Sequence, residues 1–327
     1  MNEEVRKKLE LFAQNRKLIH EAFKWDWDMM SVVAGLIFTD AGRTVDTDRM
    51  KECEKILQEK KSVFSVFRST DRLLMISKMA LSDNAAEYLD KVTVLYDKIK
   101  AGKIFDDSFM ILGAVVILDQ HRENDADAII AKYQEIIQRM SKEHPVITDH
   151  SDIPMAIMLA MTDKDIDTII RETEECYKYM KTNFKGYSNP IQALSHVLSL
   201  TEGNIYDKCN KVMQMYYMLQ ERGAKYGKEY EFASLGSLIG IDMDMGILAD
   251  EIVEADRLLG TYKGFGAWNM DKTTRLMFAA VLTAEVFETD NPGLNCSVIG
   301  GSLAIIVAEE IMLMMVVIMC ANTSSST

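Results

Sequence analysis

Residues 231–272 read EFASLGSLIGIDMDMGILADEIVEADRLLGTYKGFGAWNMDK, and this stretch decides the fold class. It begins with a short apolar segment, which an acidic turn follows. Apolar residues then recur at intervals of three or four, which predicts one apolar stripe along an amphipathic helix. These residues are Leu248, Ile252, Ala255 and Leu259. A loop of glycine and aromatic residues closes the unit, so the stretch predicts a helical hairpin.

The same order of elements recurs along most of the chain. Short apolar runs end, mostly beside an acidic residue, at positions 38, 81, 118, 161, 200, 241 and 282. The spacing stays near forty residues, which is typical of helical-hairpin repeats. Neither helix of such a unit can bury its apolar surface alone, whereas stacked units bury it together. The sequence therefore predicts an all-α fold of about six hairpins, stacked as an open α-solenoid or, alternatively, closed into an α/α toroid.

The end of the chain differs from the repeats. We predict one helical-repeat domain over residues 1–295, an apolar C-terminal helix over residues 296–321, and a disordered Ser/Thr tail over residues 322–327. The apolar segment is long enough to span a bilayer, but Glu309 and Glu310 lie at its centre. Each central acidic residue costs about 2.5–3.5 kcal/mol on insertion scales. We therefore predict a helix that caps the array or pairs with a second copy of the chain, with membrane association as the alternative.

The composition excludes some classes of partner. Thirty-seven basic residues stand against 50 acidic ones, which gives a formal net charge of −13. An acidic surface without a basic run repels phosphate backbones, so we predict no nucleic-acid binding. The five cysteines are widely separated and contain no CxxC pair, and the N-terminus lacks the apolar core of a signal peptide. Both features predict a cytoplasmic protein.

Motifs of known catalytic sites are missing from the sequence. Neither HExxH nor GxSxG occurs, and no dinucleotide or phosphate loop is complete. The loop EHPVITDHSD carries His144, Asp149, His150 and Asp152, but these ligand types do not share one helical face. We therefore predict a solvated loop and no metal or cofactor. His196 lies in a short apolar helix and is predicted to be a hydrogen-bonded core histidine.

The most site-like cluster lies in and beside residues 231–272. Its candidate binding residues are Glu231, Ser234, Lys263, Phe265, Trp268 and Arg275. One interpretation is a polar ligand site formed by Glu231, Lys263 and Arg275. The other is structural, because residues 184–187 (FKGY) resemble residues 262–265 (YKGF). A shared aromatic–Lys–Gly–aromatic loop is typical of a joint, in which glycine permits the turn and the aromatic rings pack between helices.

Three further runs carry a resemblance to a known family. They are LSHVLSLTEG (194–203), YGKEYEFASLGSLIGID (226–242) and KGFGAWNMDKTTRLMFAAVL (263–282). They resemble a bacterial family known only as a domain of unknown function, the one numbered four thousand and three. The resemblance covers nearly the whole chain and implies no activity, cofactor or catalytic residue. In architecture alone, the hairpins also resemble α/α toroids such as prenyltransferase β subunits and terpene cyclases, although their zinc-ligand set and aspartate-rich motif are absent here.

Two functions of different classes stay open at this point. The favoured one is an interaction scaffold without enzymatic activity, whose concave face binds a protein or peptide. The other is a small-molecule binder or enzyme with its site near Glu231, Lys263 and Arg275. A role at a membrane through residues 296–321 is a third possibility. Repeat architecture decides between none of them, because such folds support many functions.

Overall fold

The computed structural model is helical, and it describes residues 1–24, 28–60, 71–101, 107–267 and 269–288. No β-strand occurs among these residues, which confirms the predicted all-α class. Residues 289–327 lie outside the described residues, and with them the predicted C-terminal helix and tail. Within the described ranges, no helix is long and apolar enough to cross a membrane.

The helices alternate along the chain between an outer and an inner layer. The outer helices are α1 (Glu3–Ala22), α3 (Thr47–Glu59), α5 (Ala85–Lys100), α7 (Ala126–Glu143), α9 (Ile166–Asn183), α11 (Ile205–Glu221) and α12 (Met245–Leu259). The inner elements are α2 (Asp28–Asp40), α4 (Asp71–Leu81), α6 (Ser108–Asp119), α8 (Ile153–Ala160), α10 (Ser188–Leu200), a 3₁₀ helix (Tyr230–Leu238) and α13 (Lys272–Phe287). A short 3₁₀ turn, His150–Asp152, leads into α8.

The two layers follow from two kinds of sequence. The inner helix α6 is apolar on every side, and its side chains from Phe109 to Leu118 are all buried. The outer helices are amphipathic and bury a single stripe, which in α7 includes Ile129, Ile136 and Met140. Short polar side chains cap the helix starts. For example, the Asp244 carboxylate accepts the first free N–H groups of α12.

The first helix packs against the last two. Neighbouring outer helices contact each other in chain order, and α1 contacts both α12 and α13. The backbone N–H of Asn2 donates to Glu251 at 2.7 Å, and the N-terminal ammonium also pairs with Glu254. The ring of Phe12 lies 5.1 Å from that of Phe265 and 5.7 Å from that of Phe278. These contacts place the first hairpin against the last hairpin of the described residues.

The inner helices offer little exposed surface to a partner. The inner helix α2 is buried from Met29 to Thr39, as α6 is along nearly its whole length. In the described part of the chain, accessible surface for a partner is therefore provided by the outer helices and by the loops between the layers.

The two aromatic–Lys–Gly–aromatic loops have the same backbone geometry. Gly186 and Gly264 both adopt left-handed backbone angles, with φ of 94° and 97°. Only glycine reaches this region without a steric penalty. The first loop connects α9 to α10 and the second connects α12 to α13, so each connects an outer helix to the following inner helix.

A cation packs on the aromatic rings of each loop. The Arg16 guanidinium lies 5.8 Å from the centre of the Phe265 ring. The Lys228 ammonium lies 5.3–5.6 Å from the ring centres of Phe184 and Tyr187 in the other loop and of Tyr216 on α11. Both cations come from a different part of the chain, and such contacts stabilise by about 0.5–2 kcal/mol. The loops therefore join neighbouring hairpins.

Candidate functional site

Glu231 and Ser234 are buried in the 3₁₀ helix and bond to other parts of the chain. The Glu231 carboxylate accepts from the hydroxyls of Thr273 and Thr274 at 2.7 and 3.3 Å. The Ser234 hydroxyl donates to the Glu231 carbonyl oxygen and accepts from the Tyr226 hydroxyl, both at 2.6 Å. These bonds fix the 3₁₀ helix to the start of α13.

Arg275 and the backbone carbonyls of Phe265 and Lys263 also have partners within the protein. Arg275 pairs with both carboxylate oxygens of Asp256, at 2.7 and 3.1 Å, and donates to the carbonyl of Phe265. The carbonyl of Lys263 accepts from Arg16 at 3.3 Å.

Trp268 lies outside the described residues. The charged groups of Glu231 and Arg275 bond to two different sets of partners, and one ligand bound by Glu231, Lys263 and Arg275 stays a prediction.

The loop between α7 and α8 is held by contacts of both of its histidines with carboxylates. The Nε2 atom of His144 lies 2.6 Å from a Glu174 carboxylate oxygen, and its ring packs on Tyr177. The Nδ1 atom of His150 lies 2.6 Å from Asp107. The two histidines thus pair with carboxylates on different elements. Among the described residues, no three side chains of His, Cys, Asp or Glu come together as a metal site.

Asp152 and His196 form a buried acid–base pair beneath this loop. The Nδ1 atom of His196 lies 3.4 Å from Asp152 Oδ1, and Asp152 Oδ2 accepts from the backbone N–H of Asp149 at 3.0 Å. Burial raises the pKa of the Asp152 carboxyl to about 7. Burial, and secondly the nearby His144, lowers the pKa of His196 to about 3. At neutral pH the pair thus combines a partly protonated acid with an uncharged imidazole.

A second buried contact holds the same loop. The side-chain amide of Gln192 donates to the Thr148 hydroxyl at 3.1 Å. The side-chain oxygen of Gln192 and the Nδ1 atom of His196 are buried without a hydrogen-bond partner within the described part of the chain, since the 3.4 Å contact of His196 with Asp152 lacks hydrogen-bond geometry. Such groups are uncommon in folded proteins and mark a place of strain or function.

Two depressions flank α7 directly above these contacts. One has a volume of about 720 Å³ and lies between α7 and α9; the other has about 500 Å³ and lies between α7 and the loop before α8. They share three lining residues on α7, which are Gln134, Gln138 and Lys142. Ile137 and Ile153 line the smaller depression, and Thr148 and Asp149 form part of its wall. We call the two together the α7 groove.

The wall of the α7 groove is therefore attached to buried polar groups. Thr148 bonds to Gln192, and Asp149 bonds to Asp152. Sequence reasoning singled out the loop and His196 separately but did not bring them together. A signal was present, because Thr148 and Gln192, like Asp152 and His196, are 44 residues apart and thus close to one predicted repeat. The glutamines of α7 gave no signal, since exposed polar residues are ordinary on an outer helix.

Comparisons with known proteins agree with the predicted resemblance. The model of the family described as "Protein of unknown function (DUF4003)" matches residues 15–316. The chain belongs to this family. It is also similar to the uncharacterized protein YeaA of Bacillus subtilis (strain 168), with 19% identity over 245 residues, which cover 73% of this chain and 72% of that protein. No solved structure matches. The family membership assigns neither an activity nor a site.

Proposed function

We propose that this chain is a binding protein that holds an extended peptide segment of a protein partner in the α7 groove. The observation that carries the proposal is the pair of depressions that share Gln134, Gln138 and Lys142. This proposal keeps the scaffold interpretation of the sequence but moves the contact surface from a concave inner face to the outer layer.

The spacing of the glutamines suits a peptide main chain. Gln134 and Gln138 are exposed on α7, one turn apart, which corresponds to a rise of about 6 Å. An extended chain presents peptide groups on the same side every two residues, or about 6.6–6.8 Å. A carboxamide carries both donors and an acceptor, so each glutamine can bond to one peptide group.

The smaller depression supplies an apolar floor. Ile137 and Ile153 line it together with the polar groups of Ser141 and Thr148. Sites of about 300–1,000 Å³ enclose a drug-sized ligand, so a space of about 500 Å³ accommodates one or two apolar side chains. We therefore expect a partner segment with a free main chain and at least one apolar side chain.

Peptide selection tests this proposal. Linear dodecapeptides displayed on phage are selected on the native full-length chain, and the enriched sequences are synthesised. We expect Gln138→Leu to weaken their binding about tenfold, because two hydrogen bonds to the peptide, each contributing about 0.5–1.5 kcal/mol, are lost. Isothermal titration calorimetry on both proteins measures the change.

The chain offers a matched control for this substitution. Gln220 is another exposed glutamine on an outer helix, and Gln220→Leu should leave binding unchanged. N-methylation of single amides in the peptide should weaken binding at alternate positions. Equal affinity of the Gln138→Leu variant, or no loss with any N-methylated peptide, would contradict recognition of the main chain in the α7 groove.

A small-molecule ligand is the second candidate function. The volume and mixed lining of the smaller depression are those of ligand pockets in general. This version places the site at the α7 groove and no longer at Glu231, Lys263 and Arg275. A thermal-shift screen with a fragment library separates the two candidates, because a small ligand should stabilise the wild-type chain but not a variant with Ile137→Arg.

The proposal also includes a cytoplasmic location and pairing of two chains through residues 296–321. The absence of a CxxC pair from the sequence supports the first, and the apolar character of the segment supports the second. Truncation after Asn295 tests the pairing. Light scattering measures the mass of each assembly. If the shortened chain assembles into the same number of copies as the full chain, the segment is not an interface.

A further inference from the structure

Two cysteines face each other between neighbouring outer helices. Cys176 lies on α9 and Cys209 on α11, and both side chains are fully buried. Their sulfur atoms are 3.3 Å apart, with the Cys209 thiol donating to Cys176. Each belongs to the buried stripe of its helix, so the contact results from the packing of α9 against α11.

We propose that Cys176 and Cys209 are a site of reversible oxidation, at which a small hydroperoxide converts the two thiols into a disulfide between α9 and α11. Nothing in the proposed peptide binding depends on this site.

The geometry suits a disulfide. A disulfide bond is about 2.05 Å long and its Cα atoms lie about 4.4–6.8 Å apart. Packed helices lie about 8–10 Å apart, with Cα atoms about 2.3 Å from each axis, so facing Cα atoms are separated by about 3.4–5.4 Å. The two ranges overlap. Closing the present sulfur–sulfur distance therefore requires a movement of about 1.3 Å, which side-chain rotation and a small helix shift can supply.

The oxidation proceeds in two steps. With hydrogen peroxide as the hydroperoxide, a thiolate of one cysteine attacks one of its oxygens, so that an S–O bond forms, the O–O bond breaks and the other oxygen leaves as water with the thiol's proton. The thiolate of the second cysteine then attacks the sulfenic sulfur, so that the S–S bond forms and the hydroxyl leaves as a second water. Two thiols are oxidised and one hydroperoxide is reduced. Because the second thiol is already in contact, the sulfenic acid is short-lived.

The surroundings make the first step slow. The hydrogen bond shared with Cys209, which favours the protonated form of Cys176, and then burial, raise the pKa of the Cys176 thiol well above its usual range. The buried ammonium of Lys208 acts in the opposite direction. Thiolate is therefore scarce at neutral pH, and we expect oxidation to follow local opening of α9 or α11.

Peptide mapping of the native chain tests the site. The wild-type chain is treated with hydrogen peroxide without denaturant, digested without reductant and analysed by mass spectrometry. We expect a crosslinked peptide pair that contains Cys176 and Cys209 and is about 2 Da lighter than its two parts. Dithiothreitol should abolish it. Oxidation should also move the guanidinium midpoint of the wild-type chain upwards, because the crosslink restricts the unfolded chain.

Two single variants serve as controls. Cys53 is a buried cysteine on α3, and Cys53→Ala should leave the crosslink and the shifted midpoint intact. Cys209→Ala should remove both. The proposal is overturned if Cys53 reaches the sulfonic acid before the crosslink appears, if Cys176 joins a different cysteine, or if the crosslink forms only in denaturant.

Discussion

Replacement of Gly264 by alanine is expected to lower the free energy of unfolding by about 3 kcal/mol. The left-handed backbone at this position costs an alanine about 1–2 kcal/mol. In addition, the new Cβ would lie 1.8 Å from the buried Arg16 guanidinium, and overpacking of this kind costs about 1–3 kcal/mol. Arg16 also bonds to the carbonyl of Lys263, so its displacement weakens the contact between α1 and the α12–α13 hairpin. Urea denaturation followed by circular dichroism measures the loss.

Gly186 provides a matched control because it has the same backbone angle in the equivalent loop. No atom lies within 4 Å of a Cβ built there, so Gly186→Ala should cost only the backbone part, about 1–2 kcal/mol. In an Arg16→Met background the clash is relieved, and Gly264→Ala should then cost as little as Gly186→Ala. Equal losses of stability at both glycines in the wild-type background would show that the Arg16 contact does not stabilise the packing of α1 against the α12–α13 hairpin.

This joint illustrates what could be predicted from the sequence. The aromatic–Lys–Gly–aromatic pattern occurs twice, and the two glycines adopt the same left-handed angle. Turn geometry is local, and its signal lies within four residues. Helix class, caps and apolar stripes were predictable for the same reason, as Asp244 and the stripe of α12 show. The four-residue pattern does not predict that a guanidinium packs on the loop, because Arg16 comes from a helix about 250 residues away.

The contact of α1 with the last described hairpin and the α7 groove both depend on such distant contacts. Whether α1 meets α12 or remains at a free end is decided by the small rotation from each hairpin to the next, which residue identities do not encode visibly. The same holds for Asp152 and His196, which lie on different hairpins. The resemblance of residues 262–265 to residues 184–187 corresponds to glycines with the same backbone angle, whereas a ligand shared by Glu231, Lys263 and Arg275 stays a prediction.

The Asp152–His196 pair makes a second strong prediction, which concerns pH. Asp152 has a folded pKa of about 7, raised from 3.8, so its contribution to stability is complete below pH 3.8 and is lost as pH rises through 7. His196 has a folded pKa of about 3, lowered from 6.5, so its contribution is complete above pH 6.5 and is lost as pH falls through 3. Each group makes the free energy of unfolding change with pH by about 1.4 kcal/mol per pH unit. Between about pH 4 and 6.5 the two slopes have opposite signs and cancel.

Proton counting gives the same result. In this range the folded pair holds one proton on Asp152, and the unfolded pair holds one proton on His196. Because folding leaves the number of bound protons unchanged, the pair does not make stability depend on pH. Burial is the first cause of both shifts, so each shift should persist when the partner is replaced.

Replacing one member of the pair should therefore reveal the pH dependence of stability that the other member causes. Relative to the wild-type chain, His196→Gln should lose about 2 kcal/mol of stability as pH rises from 4.5 to 6.5, and Asp152→Asn should gain about the same amount. Urea denaturation at pH 4.5, 5.5 and 6.5 measures both differences, and the double variant should again run parallel to the wild type. If the pair were instead an ion pair, the carboxyl pKa would be lowered from 3.8 and the imidazole pKa raised from 6.5, so the pH dependence of both groups would lie below pH 3.8 and above pH 6.5. Both single variants would then run parallel to the wild type between pH 4.5 and 6.5, and this result would contradict the neutral pair, and with it the view that burial governs these groups.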